Sequence, residues 1–133
     1  MSNWTHVAGI IRVDCIRFNE LNKEEEMKKF DKLIGKELHF EDSSEEWKYA
    51  NNHPEEYLPL GSEGSLQKSV WINPAKNFMA AYTISIFGDL RDHNDPNDII
   101  EWFKGVLKRC GMIRQATITV KNECYGTKNF EYN

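Results

Sequence analysis

Apolar residues recur at every second position over residues 5–16 and again over 78–90. In the first run Val7, Gly9, Ile11, Val13 and Cys15 fall on one side, with His6, Ala8, Ile10, Arg12 and Asp14 on the other. In the second, Ala80, Tyr82, Ile84 and Ile86 oppose Met79, Ala81, Thr83, Ser85 and Phe87. Side chains alternate across a strand, so each run predicts a strand with one core face and one mixed face. Residues 66–72 set Leu66, Lys68, Val70 and Ile72 against Gln67, Ser69 and Trp71. The turn formers Asn73-Pro74-Ala75-Lys76-Asn77 then predict an antiparallel hairpin with the 78–90 strand. A last strand over 113–121 alternates Ile118 and Val120 with Thr117, Thr119 and Lys121. Gly9, inside the first strand, predicts a bulge or close packing against a helix.

Between these runs the period lengthens to that of a helix. Met27, Phe30, Leu33 and Ile34 form one buried stripe; Ile99, Ile100, Phe103, Val106 and Leu107 form another. Asn22 and Glu25 have capping-box spacing at the first helix. Glu24, Glu25 and Glu26 sit at the positive end of its dipole and Lys32 and Lys36 near the negative end, before a stop at Gly35. The second helix has Asp95 as cap, Pro96 in the first turn, Asp98 as the capping-box acid, Lys108 and Arg109 near its end, and Gly111 as its stop. Residues 36–65 are irregular. Ser43-Ser44-Glu45-Glu46 predicts a short helix packed through Trp47 and Ala50, followed by extended backbone at His53-Pro54 and Leu58-Pro59. Beyond Tyr125 the pattern fades, and residues 126–133 are expected to be a frayed or partner-stabilised tail.

The order strand, helix, strand, strand, helix, strand predicts one α+β domain with a ferredoxin-like sandwich. Four antiparallel strands carry two helices on one face, with residues 36–65 inserted after the first helix and the first and third strands central. The uncovered face then carries Ile10, Arg12, Trp71, Thr83, Ser85, Phe87, Thr117 and Thr119. Such a mixture is too aromatic for a casual surface and too polar for a core. It is a candidate for homodimerisation, for partner docking, or for cover by the insertion.

Composition narrows the function. The 133 residues are 40% hydrophobic and 29% charged, which belongs to a folded globular chain. A net charge of −4 argues against general binding to nucleic-acid backbones. Cys15, Cys110 and Cys124 are odd in number and contain no C-x-x-C, so buried reduced thiols are expected, not a disulfide framework or zinc ribbon. The first residues lack a basic-then-apolar leader, and no run reaches membrane-spanning length, so a cytoplasmic protein is expected.

Candidate chemistry is sparse. Gly61, Ser62, Gly64 and Ser65 could turn backbone amides and hydroxyls toward an anion, with Arg91 or Arg12 holding a phosphate. The loop lacks a Walker lysine, precedes a strand, and contains Glu63. Asp89, Asp92, His93, Asp95 and Asp98 crowd the second helix start, where a divalent metal could serve a phosphodiesterase or nuclease, but Asp95 and Asp98 already have capping roles. His6, His39, His53 and His93 show no metal spacing, and no nucleophile elbow is present. Trp47, Tyr49 and Tyr57 could stack on bases or anchor a protein interface, but local packing onto the domain is expected. No catalytic residue, metal or cofactor is assigned.

Four stretches occur together: Ser2-Asn3-Trp4-Thr5-His6-Val7-Ala8-Gly9, Leu58-Pro59-Leu60-Gly61-Ser62-Glu63-Gly64-Ser65-Leu66, Ala80-Ala81-Tyr82 and Phe87-Gly88-Asp89-Leu90-Arg91-Asp92. In these the chain resembles small uncharacterised proteins encoded by bacteriophages and prophages of Gram-positive bacteria. The resemblance implies a bacterial host cytosol and an inhibitor of host defence that binds a host protein or sequesters a nucleotide signal. The resulting expectation is a non-enzymatic, homodimeric binding protein that uses Trp71, Phe87, Ile10, Thr83 and Ser85 as its interface.

Overall fold

The computed structural model describes residues 3–16, 23–39, 44–73, 79–93 and 95–132. Along the chain these form β1 (Trp4–Ile16), α1 (Lys23–Leu33), α2 (Ser44–Asn52), β2 (Leu66–Asn73), β3 (Met79–Arg91), α3 (Pro96–Cys110), β4 (Ile113–Asn122) and β5 (Gly126–Glu131). The architecture is α+β: one antiparallel sheet ordered β2-β3-β1-β4-β5, with the two long strands β1 and β3 inside it. Asn22, Ser43 and the 74–77 turn lie outside the described residues.

The sheet has five strands where four were expected, and the segment after Tyr125 is strand, not frayed tail. In β5 only Phe130 is even half-buried, so the strand carries no alternation to read. Its turn is built by Asn122, whose Oδ1 accepts hydrogen bonds from the amides of Cys124 and Tyr125, both at 2.8 Å. Gly126 takes the left-handed φ of +89° at the start of the strand. Phe130 then meets Phe103 edge-on, with ring centroids 6.2 Å apart.

Strand register explains the core. Ile11 pairs with Ile84 and Ala116, and Val7 with Val120, so their side chains share one face. That face, with Phe30 and Ile34 from α1 and the following turn and Ile99, Phe103 and Val106 from α3, makes one continuous cluster. Full burial of such a side chain contributes roughly 1.5–3 kcal/mol. α1 is placed by Phe30, edge-on to Tyr82 at 5.2 Å, and Arg109 Nε of α3 donates to the Leu33 carbonyl at 2.9 Å. This guanidinium-to-carbonyl bond is a helix C-terminal one: a cation meets the negative end of the α1 dipole.

α3 keeps the punctuation expected of it. Asp95 Oδ1 accepts from the Asn97 amide at 2.9 Å, Pro96 opens the helix, and the Gly111 amide donates to Leu107 O at 3.3 Å. Gly9 marks no bulge, and its close approach is to the neighbouring strand. A Cβ there would stand 3.0 Å from Cγ1 of Ile118 on the neighbouring strand. The bulge comes later, where Arg12 pairs with Gln115 but Val13 pairs with Ile113, leaving Arg114 as the extra residue.

The 36–65 segment contains the expected short helix and is stitched to the rest by backbone. Lys36 donates to Glu56 O at 2.9 Å, Leu58 donates to Lys36 O at 3.1 Å, and Leu58 enters the core. Cysteine burial differs from expectation: Cys124 is exposed and Cys110 half-buried. Burial pushes the Cys110 thiol pKa up, against the lowering influence of Arg109 and Lys29, which disfavours the thiolate. Among the described residues no helix is long and apolar enough to cross a membrane.

Candidate functional site

The face of the sheet opposite α1 and α3 is open around Ile10, Trp71 and Phe87. Its map follows from register, because residues paired across strands point the same way. Phe87 lies between Gln67 and Ala8, Ser85 between Ser69 and Ile10, and Thr83 between Trp71 and Arg12. β4 adds Thr119 beside Ala8, Thr117 beside Ile10 and Gln115 beside Arg12, and β5 adds Asn129 and Glu131. Ile10, Phe87 and Trp71 are 37%, 46% and 58% exposed. Ile10 and Phe87 are diagonal neighbours, about 7 Å apart, whereas Trp71 stands on the edge strand β2. Small and hydroxylated side chains fill the space around them.

Charges border this face without giving it one sign. His6 Nδ1 lies 2.6 Å from Asp89 Oδ1 at one end. Arg114 Nε donates to Asp14 Oδ2 at 3.0 Å at the other, through the residue that the bulge turns out. Arg12, between them, has no ion-pair or hydrogen-bond partner among the described residues. The 36–65 segment does not cover the face, since all three large apolar side chains remain open. Trp47 instead sits with Trp4, Ser62, Glu63 and Gly64 around a separate hollow. Asn129 and Glu131 were not legible as part of the surface, because β5 shows no apolar period.

The glycine-serine loop is occupied by its own backbone. Gly61 N donates to Gly64 O at 3.0 Å, and Ser62 N to Arg91 O at 2.8 Å. The Ser62 hydroxyl donates to Asp92 Oδ2 at 2.7 Å, and buried Ser65 accepts from Gln67 Nε2 at 3.1 Å. Arg91 closes the knot. Its amide donates to Glu63 O at 2.9 Å, and its Nη1 meets Glu63 Oε1 at 2.7 Å. Arg12 lies eight residues along β1 from Trp4, the residue paired with Arg91, or about 27 Å away. Thus Gly61, Ser62, Ser65 and Arg91 come together as a strut, and Arg12 does not join them.

Gly64 is what lets this strut close. Its φ is +77°, and a Cβ there would overlap the Asp89 carbonyl oxygen. Gly64→Ala is expected to lower stability by about 2–3 kcal/mol, from left-handed strain and a contact with rigid backbone. A urea midpoint equal to wild type would refute the strut.

Three of the acidic residues around the end of β3 and the start of α3 are likewise engaged. Asp89 pairs with His6, Asp92 accepts from Ser62, and Asp95 caps α3. No three His, Cys, Asp or Glu side chains converge on a cation position among the described residues. The insertion aromatics pack locally. His53 stacks on Tyr49 at 4.0 Å, and Tyr49 and Tyr57 meet edge-on at 6.2 Å. The Tyr49 hydroxyl donates to Glu56, a hydrogen bond that raises its pKa. Comparison with protein-family models, curated proteins and solved structures finds no match to this chain.

Proposed function

We propose that this protein is a binding module that docks protein through the uncovered face of its sheet and performs no chemistry of its own. The supporting observation is the standing of Ile10, Phe87 and Trp71 in the open, on a rigid sheet, among side chains small enough to admit a partner's. β1, β3, α1, α3, β2 and β4 are read here as a ferredoxin-like unit, to which α2 and β5 are additions. In such a unit the helices leave one sheet face for recognition.

The occupant favoured by size and charge is a second copy of the chain. Strands about 4.8 Å apart and about ten residues long give a face of roughly 600–700 Å². A standard interface takes about 800 Å² from each partner, so most of one is present already. Both charge signs border the face, which allows a copy to approach without net repulsion. The phage resemblance gives such a dimer a use: occupying a host defence protein. A nucleotide-sequestering role finds less support, because Arg91 and two of the loop amides already have internal partners.

Sedimentation of the full chain tests the proposal. Wild type is expected to be dimeric at tens of micromolar, and Phe87→Glu or Ile10→Glu monomeric with an unchanged far-ultraviolet circular dichroism spectrum. Neither side chain belongs to the buried core cluster of the protomer. A monomeric wild type, or a dimer indifferent to both substitutions, overturns self-docking through this face.

A further inference from the structure

A groove of about 400 Å³ opens on the opposite, helix-bearing side, where the end of α3 passes over β4 and β5. Its floor and walls are Leu107, Met112, Ile113, Phe130 and Tyr132, and its rim carries Lys104 and Lys108. The volume lies within the roughly 300–1,000 Å³ typical of small-molecule sites. Three features distinguish it from an ordinary surface dent.

The first is exposure. Met112 and Tyr132 are 57% and 42% exposed, so a mobile thioether and an aromatic ring stand at the mouth. The second is backbone conformation. Met112 has φ of +41°, a region that residues with side chains seldom occupy, and its carbonyl is held by the Asp14 amide at 3.1 Å. Such conformations gather at ligand clamps, where surrounding structure fixes them. The third is charge. Among the described residues no carboxylate lines the groove, whereas Lys104 and Lys108 stand one helical turn apart on the same side of α3. Lys108 has no ion-pair or hydrogen-bond partner among the described residues. Lys104 lies 5.2 Å from the centre of the Phe130 ring and, among the described residues, pairs with exposed Glu101 at 3.3 Å.

We propose that this groove is a binding site for a small amphipathic anion, a linear or flat apolar body with one carboxylate-type head. The apolar body lies over Ile113 and Phe130 beneath Met112, and the head meets the two ammonium groups. This site shares no residue with the uncovered sheet face, so either proposal stands without the other.

Octanoate, octan-1-ol and octylammonium distinguish the elements of this recognition. Titrated into the full chain and followed by the Met112 methyl and Tyr132 ring signals, octanoate is expected to bind roughly tenfold more tightly than octan-1-ol, with octylammonium weakest. In the Lys104→Glu, Lys108→Glu double variant, whose changes lie at an exposed rim, the preference is expected to invert toward octylammonium. Equal affinity for octanoate and octan-1-ol, unmoved Met112 and Tyr132 signals, or an unchanged preference in the variant would overturn the proposal.

Discussion

Replacing Lys68 by methionine is expected to lower folding stability by about 3 kcal/mol, seen as a lower urea midpoint at unchanged slope. Lys68 occupies an inward position of β2, and its side chain is 3% exposed. Its ammonium lies 2.6 Å from Asp31 Oδ1, 3.1 Å from Glu37 Oε1 and 2.7 Å from the Gly35 carbonyl. An ammonium has three donors, and here each has an acceptor. Methionine has similar length and packs as readily, so the loss comes from charge. Two carboxylates, 35% and 28% exposed, would be left facing each other without their shared cation. Their partial access to water places the effect at the lower end of the roughly 3–5 kcal/mol seen when one member of a buried ion pair is removed. Adding Asp31→Asn and Glu37→Gln to Lys68→Met should recover much of the loss, because those charges then need no partner. A single variant as stable as wild type would show that the cluster contributes nothing.

Asn122→Ala is expected to have a comparable effect, about 3–4 kcal/mol, from several hydrogen bonds lost at once around a buried amide. Asn122 is 1% exposed. Its Nδ2 donates to Thr5 Oγ1 at 2.9 Å and to His93 O at 3.3 Å, while its Oδ1 accepts the two turn amides. One amide therefore joins the start of β1, the end of β4, the β3–α3 connection and the β4–β5 turn. Asn122→Asp separates its roles: the carboxylate can still accept from the turn but cannot donate to Thr5 or His93. Hydrogen exchange is the discriminating measurement. In Asn122→Ala, β5 amides should lose protection before those of the central strands. Loss of protection equally everywhere, or nowhere, would mean that Asn122 does not hold the hairpin.

These two residues mark where one-dimensional reading stops. Lys68 follows the alternation of β2 but breaks its chemistry; nothing in the local pattern identifies Asp31 and Glu37, more than thirty residues earlier, as its acceptors. Asn122 ends a strand and reads as turn punctuation, although two of the four groups it serves, the Thr5 hydroxyl and the His93 carbonyl, come from elsewhere in the fold. β5 was missed for the opposite reason: paired only at its inner edge and exposed along nearly all its length, it needs no apolar period to form.

The amino-acid order alone determined the period-two and helical stripes, hence the strands β1 to β4, the helices α1 and α3, the caps of α3, and the residues that share each sheet face. Those properties depend on neighbours a few positions apart, where backbone geometry sets which side chains point together. Tertiary structure alone decided that Gly61, Ser62 and Arg91 close a strut, that Arg12 stands far from it, that β5 widens the sheet, and that Met112, Phe130 and Tyr132 frame a groove. Each of those results depends on which distant backbone amide or side chain arrives opposite, and distance along the chain carries no record of that meeting.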